Sequence, residues 1–378
     1  MKKSPNEITV AVGMSGGVDS SVAALLLQYQ GYKVFGLFMK NWEEQDENGI
    51  CMSAKEYEDM AAVCDTLGIR HYSVNFVKEY RENVFSNFLD EFKKGHTPNP
   101  DILCNREIKF KVLLKRAMEL GADYLATGHY CRTGLSDGGG STLLKGSDPG
   151  KDQSYFLYAI NGQALSKVFF PIGALVKSEV REIARKYGLS TSEKKDSTGI
   201  CFIGERNFKQ FLSQYIQYQK GNFETLSGKM IGQHDGAAFY TPGQRKGLMI
   251  GGAGDAWFVV GKDVGRNVVY IEQGTLHPAL FCDTLTATEL TWISGHPPAL
   301  PFKGRAKVRY RQPDQECTIE RIEGDKVYVS FTIPQRAVTP RQSVVFYDDE
   351  VCLGGGIIES GGPSYYERGL SLPDEVST

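Results

Sequence analysis

The chain has 378 residues, which is more than one ordinary hydrophobic core accommodates and indicates two or three domains. Hydrophobic residues make up 41% and the formal net charge is -2, which excludes a protein that coats nucleic acid indiscriminately, so any RNA contact must come from local patches. Residues 1–6 are polar and no apolar run reaches the length of a membrane span, so we expect a cytoplasmic protein without a targeting segment.

Strand and helix patterns alternate over the first third of the chain. Apolar strand patterns lie at residues 8–12, 33–39, 71–76 and 123–127, and helical patterns lie before Gly31 and at 54–67, 79–93 and 105–120. Short connections between alternating strands and helices predict a doubly wound parallel sheet of the α/β class. Ligands of such sheets bind beyond the carboxyl ends of the strands, and Gly13 lies at that edge.

The pattern changes after this sheet. Residues 130–146 predict a hairpin that turns at 138–140, and residues 154–215 predict mainly helix around a polar stretch at 193–204. Short strands follow, and their spacing towards the C-terminus predicts a small antiparallel β-barrel with a loosely ordered tail after Gly361. We therefore expect three domains, namely the parallel sheet at 1–206, a small mixed central domain at 207–280 and the barrel at 281–378.

A glycine-rich loop joins the first strand to the first helix. It consists of Gly13, Met14, Ser15, Gly16, Gly17, Val18, Asp19 and Ser20. Glycines let several backbone N–H groups turn towards one anion, and the helix N-terminus adds unsatisfied donors and its dipole. No lysine follows the glycines, which excludes the Walker A pattern. The strand–SGGVDSS–helix order instead resembles the PP-loop of the ATP pyrophosphatases and predicts a nucleotide site, where Asp19 either caps the helix or holds a metal ion.

Eight cysteines are scattered along the chain without a CxxC pair, which argues against a zinc ribbon and against a disulfide framework. Most should be buried thiols that act as small hydrophobes. Cys104 stands apart because it precedes a helix rich in basic residues, a setting that lowers the pKa of a thiol. Asp101 is close enough to exchange a proton with it or to cap the helix. Cys201 lies in a polar, glycine-containing stretch that would let a thiol exchange partners.

Several longer segments point to one family. In chain order they read GMSGGVDSS, GLFMKNWEE, TPNPDILCN, ATGHY, KDQSYFLY, KKDSTGICFIGER, GQRKGL, RYRQ and CLGGGI. With these segments the chain resembles the bacterial tRNA-specific 2-thiouridylases from Ile8 to Glu359. One departure is visible at Arg341, where the family usually has glycine, and it affects the backbone of the loop that carries Gln342.

The resemblance implies roles for individual residues. The glycine-rich loop would bind ATP phosphates, with Met39 and Gly128 lining the nucleotide pocket. Cys104 would be the nucleophile with Asp101 beside it, and Cys201 would carry a persulfide. Contacts to the target base and the tRNA would come from Asn99, Pro100, Asp101, His129, Lys151, Asp152, Gln153, Arg309, Tyr310 and Gln342.

The resemblance also implies a reaction, the ATP-dependent 2-thiolation of the wobble uridine of tRNA. ATP with Mg²⁺ would adenylate the C2 oxygen of the base, and the persulfide would deliver sulfur that comes from a sulfur-carrier protein or a cysteine desulfurase. Cys104 would either release sulfide from the persulfide or resolve the product of its direct attack. Both routes end in a disulfide between Cys104 and Cys201.

A run of cations near the C-terminus suggests an RNA surface. Its members occupy alternate positions and the stretch 303–311 contains no acid; they are Lys303, Arg305, Lys307, Arg309 and Arg311. Alternate side chains of a strand share one face, so we expect a cationic stripe that fits RNA phosphate. The alternative is an ordinary solvated strand face.

The six histidines show no metal-ligand spacing, so we predict no metal site built from protein side chains alone. Only His129 stands out, because it follows a strand at the expected ligand edge. Three other functions fit parts of the pattern: an amidating ligase of the same fold, an ATP-gated RNA-binding module without catalysis, and an iron–sulfur thiolase. Two loop cysteines disfavour the ligase, and the missing CxxC disfavours the iron–sulfur enzyme.

Overall fold

A computed structural model describes residues 3–43, 52–196 and 208–377 of the chain. Within these ranges the strands are β1 Thr9–Met14, β2 Lys33–Lys40, β3 His71–Asn75, β4 Tyr124–Ala126, β5 Cys131–Leu135, β6 Ser141–Lys145, β7 Val168–Phe169, β8 Gly221–Glu224, β9 Met230–His234, β10 Trp257–Asp263, β11 Val268–Gln273, β12 Phe281–Trp292, β13 Phe302–Lys307, β14 Gln315–Glu323, β15 Lys326–Arg336, β16 Ser343–Asp348 and β17 Val351–Gly361.

The α-helices in the same ranges are α1 Val18–Tyr29, α2 Met52–Leu67, α3 Val77–Tyr80, α4 Ser86–Lys93, α5 Pro100–Leu103, α6 Leu114–Glu119, α7 Ser154–Leu157, α8 Gly162–Leu165, α9 Lys177–Lys186 and α10 Phe208–Leu212. Two π-helical segments, Arg81–Phe85 and Cys104–Leu113, join α3 to α4 and α5 to α6. Single 3-10 turns lie at Pro5–Glu7, Ala237–Phe239 and Pro278–Leu280.

The first strands form a parallel sheet in the order β3-β2-β1-β4-β7. β1 lies in the middle, where Val10 pairs with Val34 on one side and with Tyr124 on the other. Successive side chains of β1 enter different cores, because Val10 and Val12 pack with α1, α2 and α9, whereas Ala11 packs with α4 and the π segment Cys104–Leu113. Helices thus cover both faces of the sheet, which confirms the predicted doubly wound α/β fold.

Two regions predicted as helix differ in the structure. The helix expected at 105–120 already begins at Pro100, because Asn99 caps it and accepts the N–H of Asp101 at 3.1 Å. Cys104 therefore lies inside a continuous helical stretch and not ahead of it. Residues 154–215, which we predicted to be mainly helix around a polar stretch, also include β7, the fifth strand of the sheet. A strand of two residues is too short to show an alternating pattern.

The residues after α10 form a small mixed unit. Its strands follow the order β10-β11-β8-β9, with β8 parallel to β11 and the other neighbours antiparallel. Phe223, Val259, Val269 and Ile271 fill its core. This unit is the small mixed domain expected in the centre of the chain.

The C-terminal strands β12, β15, β14, β13, β16 and β17 form an antiparallel barrel, which closes through the pairing of β12 with β17. Ala306, Ile319, Val329 and Phe346 contribute to its core. The predicted barrel is therefore confirmed, and closure leaves its six strands without a free edge within the barrel. The hairpin β5–β6 extends the same sheet, since Leu143 of β6 pairs with Cys352 of β17.

The tail after Gly361 is ordered against the barrel, so the prediction of a loose tail is wrong. Arg368 donates to the carboxylate of Asp283 at 2.7 Å, and Tyr365 packs beside Phe281. The N–H of Ser377 donates to a barrel carbonyl at 3.0 Å. These contacts join distant segments, so the local polarity of the tail did not reveal them.

Among the helices of the described ranges, we find none with the length and apolarity that crossing a membrane requires.

Candidate functional site

The glycine-rich loop (residues 13–20) lies at the carboxyl edge of the parallel sheet. β1 ends at Met14, which pairs with Phe38 of β2, and Val12 pairs with Ala126 at the end of β4. Met39 is the next residue of β2. The segments expected to line a nucleotide pocket therefore end side by side at one edge of the sheet.

Two glycines at this edge permit approaches that a side chain would block. A β-carbon on Gly128 would lie 2.7 Å from backbone atoms of Asp19 and Ser20, so the chain after β4 touches the start of α1 directly. Gly16 has a φ of +69°, and a β-carbon there would lie 2.4 Å from the carbonyl oxygen of Glu56. The loop is therefore held between two neighbouring segments.

Serine side chains fix the shape of the loop. The Ser20 hydroxyl accepts the N–H of Ser15 at 3.2 Å and donates to the carbonyl of Gly17 at 3.1 Å. Ser21 donates to the same carbonyl at 2.8 Å. Gly17 is the N-cap of α1 and has no side chain to cap the helix, so the N-terminal amides and the dipole of α1 are available to an anion.

Asp19 does not cap the helix but takes part in an ion pair. Its carboxylate accepts the Tyr130 hydroxyl at 2.7 Å and the Lys177 ammonium at 2.7 and 2.8 Å. Burial and the charge of Asp19 raise the pKa of Tyr130, so its hydroxyl stays protonated and donates. Lys177 is the first residue of α9 and also contacts Asp196 at 2.8 Å.

Four cations surround this carboxylate and two others, and we call the group the ion cluster. Its members are Lys151, Lys177, Arg181, Lys194, Asp19, Asp59 and Asp196. Partial burial favours the neutral form of Asp196, but hydrogen bonds and charges from Lys151 and Lys177 lower its pKa to about 2. Lys194 reaches the loop itself and donates to the carbonyl of Gly16 at 2.9 Å. Lys194 therefore joins the cluster to the backbone of the loop.

The Asn99–Cys104 segment lies at the start of a helical stretch on the opposite face of the sheet. The side chain of Cys104 is 2% exposed. Burial raises the pKa of Asp101, and the ammonium of Lys109 opposes this shift. Asn105 donates from its side chain to the carbonyl of Phe156 at 3.1 Å, which fixes the start of the π segment.

His129 connects this helical stretch to the sheet edge. Its Nδ1 lies 2.6 Å from the hydroxyl of Thr127, and its Nε2 lies 3.4 Å from the ammonium of Lys109. An ammonium only donates, so Nε2 is the acceptor and Nδ1–H donates to the threonine. Burial and the nearby charge of Lys109 keep the pKa of His129 well below its usual value, so the ring is neutral. The charge of Lys109 therefore acts on both His129 and Asp101.

The loop that carries Gln342 contacts the chain just before Asn99. The side-chain amide of Gln342 donates to the carbonyl of Thr97. Its neighbour Arg341 has a φ of +68°, the left-handed conformation that favours glycine, and its guanidinium pairs with Glu91 at 2.8 Å. A second pair joins Arg341 to a barrel glutamate at 2.9 Å. Arginine is therefore accommodated at a position suited to glycine, with two ion pairs that favour its placement.

Of the three residues Lys151, Asp152 and Gln153, only Asp152 is buried, and the other two are partly exposed. Asp152 is 4% exposed and accepts hydrogen bonds from the backbone of Ser154 at 3.1 Å and from its hydroxyl at 2.9 Å. Gln153 accepts the N–H of Tyr130 at 2.9 Å through its side chain. Lys151 thus belongs to the ion cluster, and Asp152 and Gln153 form hydrogen bonds that fix the neighbouring backbone. Contact of these three residues with RNA remains a prediction.

The five cations of 303–311 do not form the exposed stripe that we predicted from their alternation. β13 ends at Lys307, whose side chain is buried and lies 3.5 Å from Asp152. Arg309 follows the strand and donates to the carbonyl of Pro242 at 2.6 Å and to that of Ala337 at 3.1 Å. Lys303, Arg305 and Arg311 remain exposed. Internal acceptors thus take up two of the five cations, which the alternation of charges did not indicate.

Tyr310 faces the first domain. Its ring centroid lies 4.3 Å from that of Phe156 and 6.2 Å from that of Tyr155. Burial raises the pKa of Tyr310.

Cys201 lies in the segment 197–207, which is outside the described residues. The pairing of Cys104 with Cys201 therefore remains a prediction from the sequence.

Sequence reasoning missed several side chains of this site. Lys177, Arg181 and Tyr130 were not singled out, and Lys109 appeared only as one of several basic residues near Cys104. The sequence did indicate Lys194 and Asp196, because both lie in the segment KKDSTGICFIGER that supports the family resemblance. Lys177 had no such signal, because a lysine in the first turn of an amphipathic helix is ordinary in sequence and becomes informative only beside Asp19.

Comparison with known proteins supports one family over the whole chain. Family models described as the tRNA methyl transferase HUP domain, the tRNA methyl transferase PRC-barrel domain and the aminomethyltransferase beta-barrel domain match residues 8–205, 209–273 and 282–358. The tRNA-specific 2-thiouridylase MnmA of Protochlamydia amoebophila is 62% identical over 370 residues, 98% of each chain.

Two further relatives carry the same name. The tRNA-specific 2-thiouridylase MnmA 2 of Geobacillus kaustophilus is 55% identical and covers 95% of this chain and 96% of its own. That of Alkaliphilus oremlandii is 56% identical and covers 95% of this chain and 99% of its own. At this identity and coverage the predicted resemblance is confirmed, and the chain belongs to the family of bacterial tRNA-specific 2-thiouridylases.

Proposed function

We propose that the chain thiolates the wobble uridine of tRNA at C2, with ATP as the activating substrate and a cysteine persulfide as the sulfur source. One observation carries the proposal. Lys109 contacts His129 at the sheet edge, and its charge acts on Asp101 one helical turn before Cys104. A nucleotide in the glycine-rich loop and a base at residues 99–101 would therefore meet across Lys109 and His129.

The glycine-rich loop and the ion cluster suit a triphosphate. The amides at the start of α1 would donate to phosphate oxygens, and the hydroxyl of Ser15, which lies 3.3 Å from that of Ser20, would donate to them as well. Lys177 already neutralises Asp19, and a bound phosphate would compete for the same ammonium.

Mg²⁺ fits the site only as a companion of ATP. Among the described residues, no group of three or more metal-ligating side chains occurs, and Asp19 is the carboxylate that the loop itself supplies. Magnesium usually binds through one or two carboxylates together with substrate phosphates. It would supply positive charge against the triphosphate, which lowers the barrier to attack at phosphorus.

Activation makes the base oxygen a good leaving group. Attack of the uridine O2 on the α-phosphorus of ATP forms a C–O–P linkage and releases pyrophosphate, while the base loses its N3 proton. Asp101, whose pKa is raised by burial, suits this proton transfer. Attack of a sulfur nucleophile at C2 then breaks the C–O bond, and the oxygen leaves on AMP.

Two routes deliver the sulfur, and both conserve electrons. In the first, the terminal sulfur of a persulfide on Cys201 bonds to C2, and the thiolate of Cys104 attacks the sulfur of Cys201, which frees the thiolated base. In the second, Cys104 first displaces sulfide from the persulfide, and sulfide attacks C2. Each route leaves a disulfide between Cys104 and Cys201, which an external thiol must reduce. A sulfur-carrier protein or a cysteine desulfurase would renew the persulfide.

Pyrophosphate release and thiolation, measured together, test whether ATP activation at the glycine-rich loop is separate from sulfur transfer at Cys104. With tRNA, ATP, Mg²⁺ and a persulfide donor, the wild-type protein should release pyrophosphate and form 2-thiouridine. Cys104→Ser should still bind ATP and release pyrophosphate, but it should lose at least about a hundredfold in thiolation, because no nucleophile frees the sulfur.

Cys282→Ser is the matched control. Cys282 is also buried, burial raises its pKa to about 11, and it lies in a barrel strand outside the ion cluster. This variant should thiolate tRNA at the wild-type rate. Full thiolation by Cys104→Ser would refute the assignment of Cys104, and pyrophosphate release that needs ammonia in place of tRNA would favour an amidating ligase.

A further inference from the structure

A basic turn before β10, which we define as residues 241–250, is left unused by the proposed chemistry. Gln244 builds the turn, because its side chain accepts the N–H of Thr241 at 3.1 Å and donates to the carbonyl of Lys246 at 3.0 Å. Its N–H also donates to the carbonyl of Thr241 at 2.9 Å. Leu248 is 4% exposed and packs in the core of the central domain. The turn is therefore a formed structure with a buried apolar residue.

The turn presents two cations to solvent. Arg245 and Lys246 are exposed, and the stretch 236–254 contains no acidic residue. Some cations of the central domain have ion-pair partners, such as Lys209 with Asp235 and Arg266 with Glu224, whereas no such pair involves Arg245 or Lys246 among the described residues. Holding two adjacent cations on a fixed turn without a counter-charge favours binding of an external anion.

Two hydrogen bonds attach the start of the turn to a residue near the proposed base-binding segment and to Arg309. The Thr241 hydroxyl lies 2.9 Å from that of Thr97, two residues before Asn99. Arg309 holds the carbonyl of Pro242 at 2.6 Å. Arg245 and Lys246 follow Thr241 by four and five positions, so even a fully extended chain keeps their Cα atoms within roughly 18 Å of that of Thr241. The two cations thus lie close to the segment expected to meet the target base.

We infer that Arg245 and Lys246 bind phosphates of the tRNA strand next to the target base. The inference rests on the proposed function and adds a contact surface to it. Phosphate contacts from lysine and arginine position a nucleic acid without reading its sequence, which is the task of a fixed basic turn beside a base pocket. This turn would then bind RNA phosphate, as we had predicted from the sequence for the cations of 303–311.

Binding of a fluorescent tRNA transcript, measured over a series of salt concentrations, tests this surface. The double variant Arg245→Ala, Lys246→Ala should bind on the order of tenfold more weakly near 0.1 M salt, and the slope of log K against log salt should become shallower by about two, because two ion contacts are lost. Arg245→Lys, which keeps the charge, should retain the wild-type slope. Affinity for ATP should be unchanged in all variants.

A second pair of exposed cations in the same domain serves as the control. Lys220 precedes β8 and Lys229 lies in the turn between β8 and β9, the strand that ends the sheet opposite β10. The variant Lys220→Ala, Lys229→Ala should keep the wild-type slope. An unchanged slope in the Arg245, Lys246 variant, or an equal change in the control, would overturn the inference. If wild-type protein thiolates tRNA in that case, the proposed function stands, whereas a wild-type protein without affinity for tRNA would refute both.

Discussion

His129 is a buried neutral histidine, and this state follows from its neighbours. The ring is packed near Phe110 and Phe170, with centroids 5.8 and 6.1 Å away, and faces the ammonium of Lys109. Desolvation and the like charge both oppose protonation. The sequence singled out His129 only through its place after a strand, since Lys109 lies on another element and its proximity is a property of the fold.

The stability of the protein should therefore depend on pH through His129. Its folded pKa lies below the unfolded value, so the unfolded chain binds an extra proton below about pH 6.5 and stability is lost as the pH falls. The free energy of unfolding of wild type relative to His129→Gln should drop by up to about 1.4 kcal/mol per pH unit between pH 6.5 and 5.5. Denaturant unfolding at several pH values measures this difference, and a difference that stays constant would contradict the buried neutral ring.

At the scale of elements, the glycine-rich loop and the barrel were predictable and the cationic stripe was not. A strand, a glycine-rich turn and a helix follow one another in sequence, so local patterns are sufficient to identify them. The stripe failed because β13 ends at Lys307 and because the acceptors for Lys307 and Arg309 come from segments far away in the chain. Alternation of charge identifies a strand face but not what that face meets.

Arg309 and Arg311 should consequently differ in what they support. Arg309→Ala removes three hydrogen bonds from a largely buried guanidinium, to two carbonyls and the Thr339 hydroxyl, and should lower the free energy of unfolding by about 2–4 kcal/mol. Arg311→Ala removes an exposed side chain and should change it by less than about 0.5 kcal/mol. Thermal unfolding distinguishes them, and equal stability of the two variants would contradict the structural role of Arg309.

At the scale of the whole molecule, contacts between distant segments complete the site. Gln342 reaches Thr97, Arg341 pairs with Glu91, and strand β6 pairs with β17, so the barrel is attached to the first domain on more than one side. The sequence motifs predicted which segments matter, but the ion cluster joins Asp19 to Lys177, 158 positions away, and Lys109 reaches His129 from a different element. Such contacts leave no periodic signal in the chain.

The fate of the base oxygen tests the central claim most directly. A tRNA labelled with ¹⁸O at uridine O2 would be incubated with the protein, ATP, Mg²⁺ and a persulfide donor, and mass spectrometry would follow both the nucleosides and the nucleotide. The account predicts 2-thiouridine at the wobble position and one ¹⁸O atom in AMP for every sulfur atom introduced. Unmodified uridine that keeps its label would contradict the proposed function, and 2-thiouridine formed with unlabelled AMP would contradict activation of the base by adenylation.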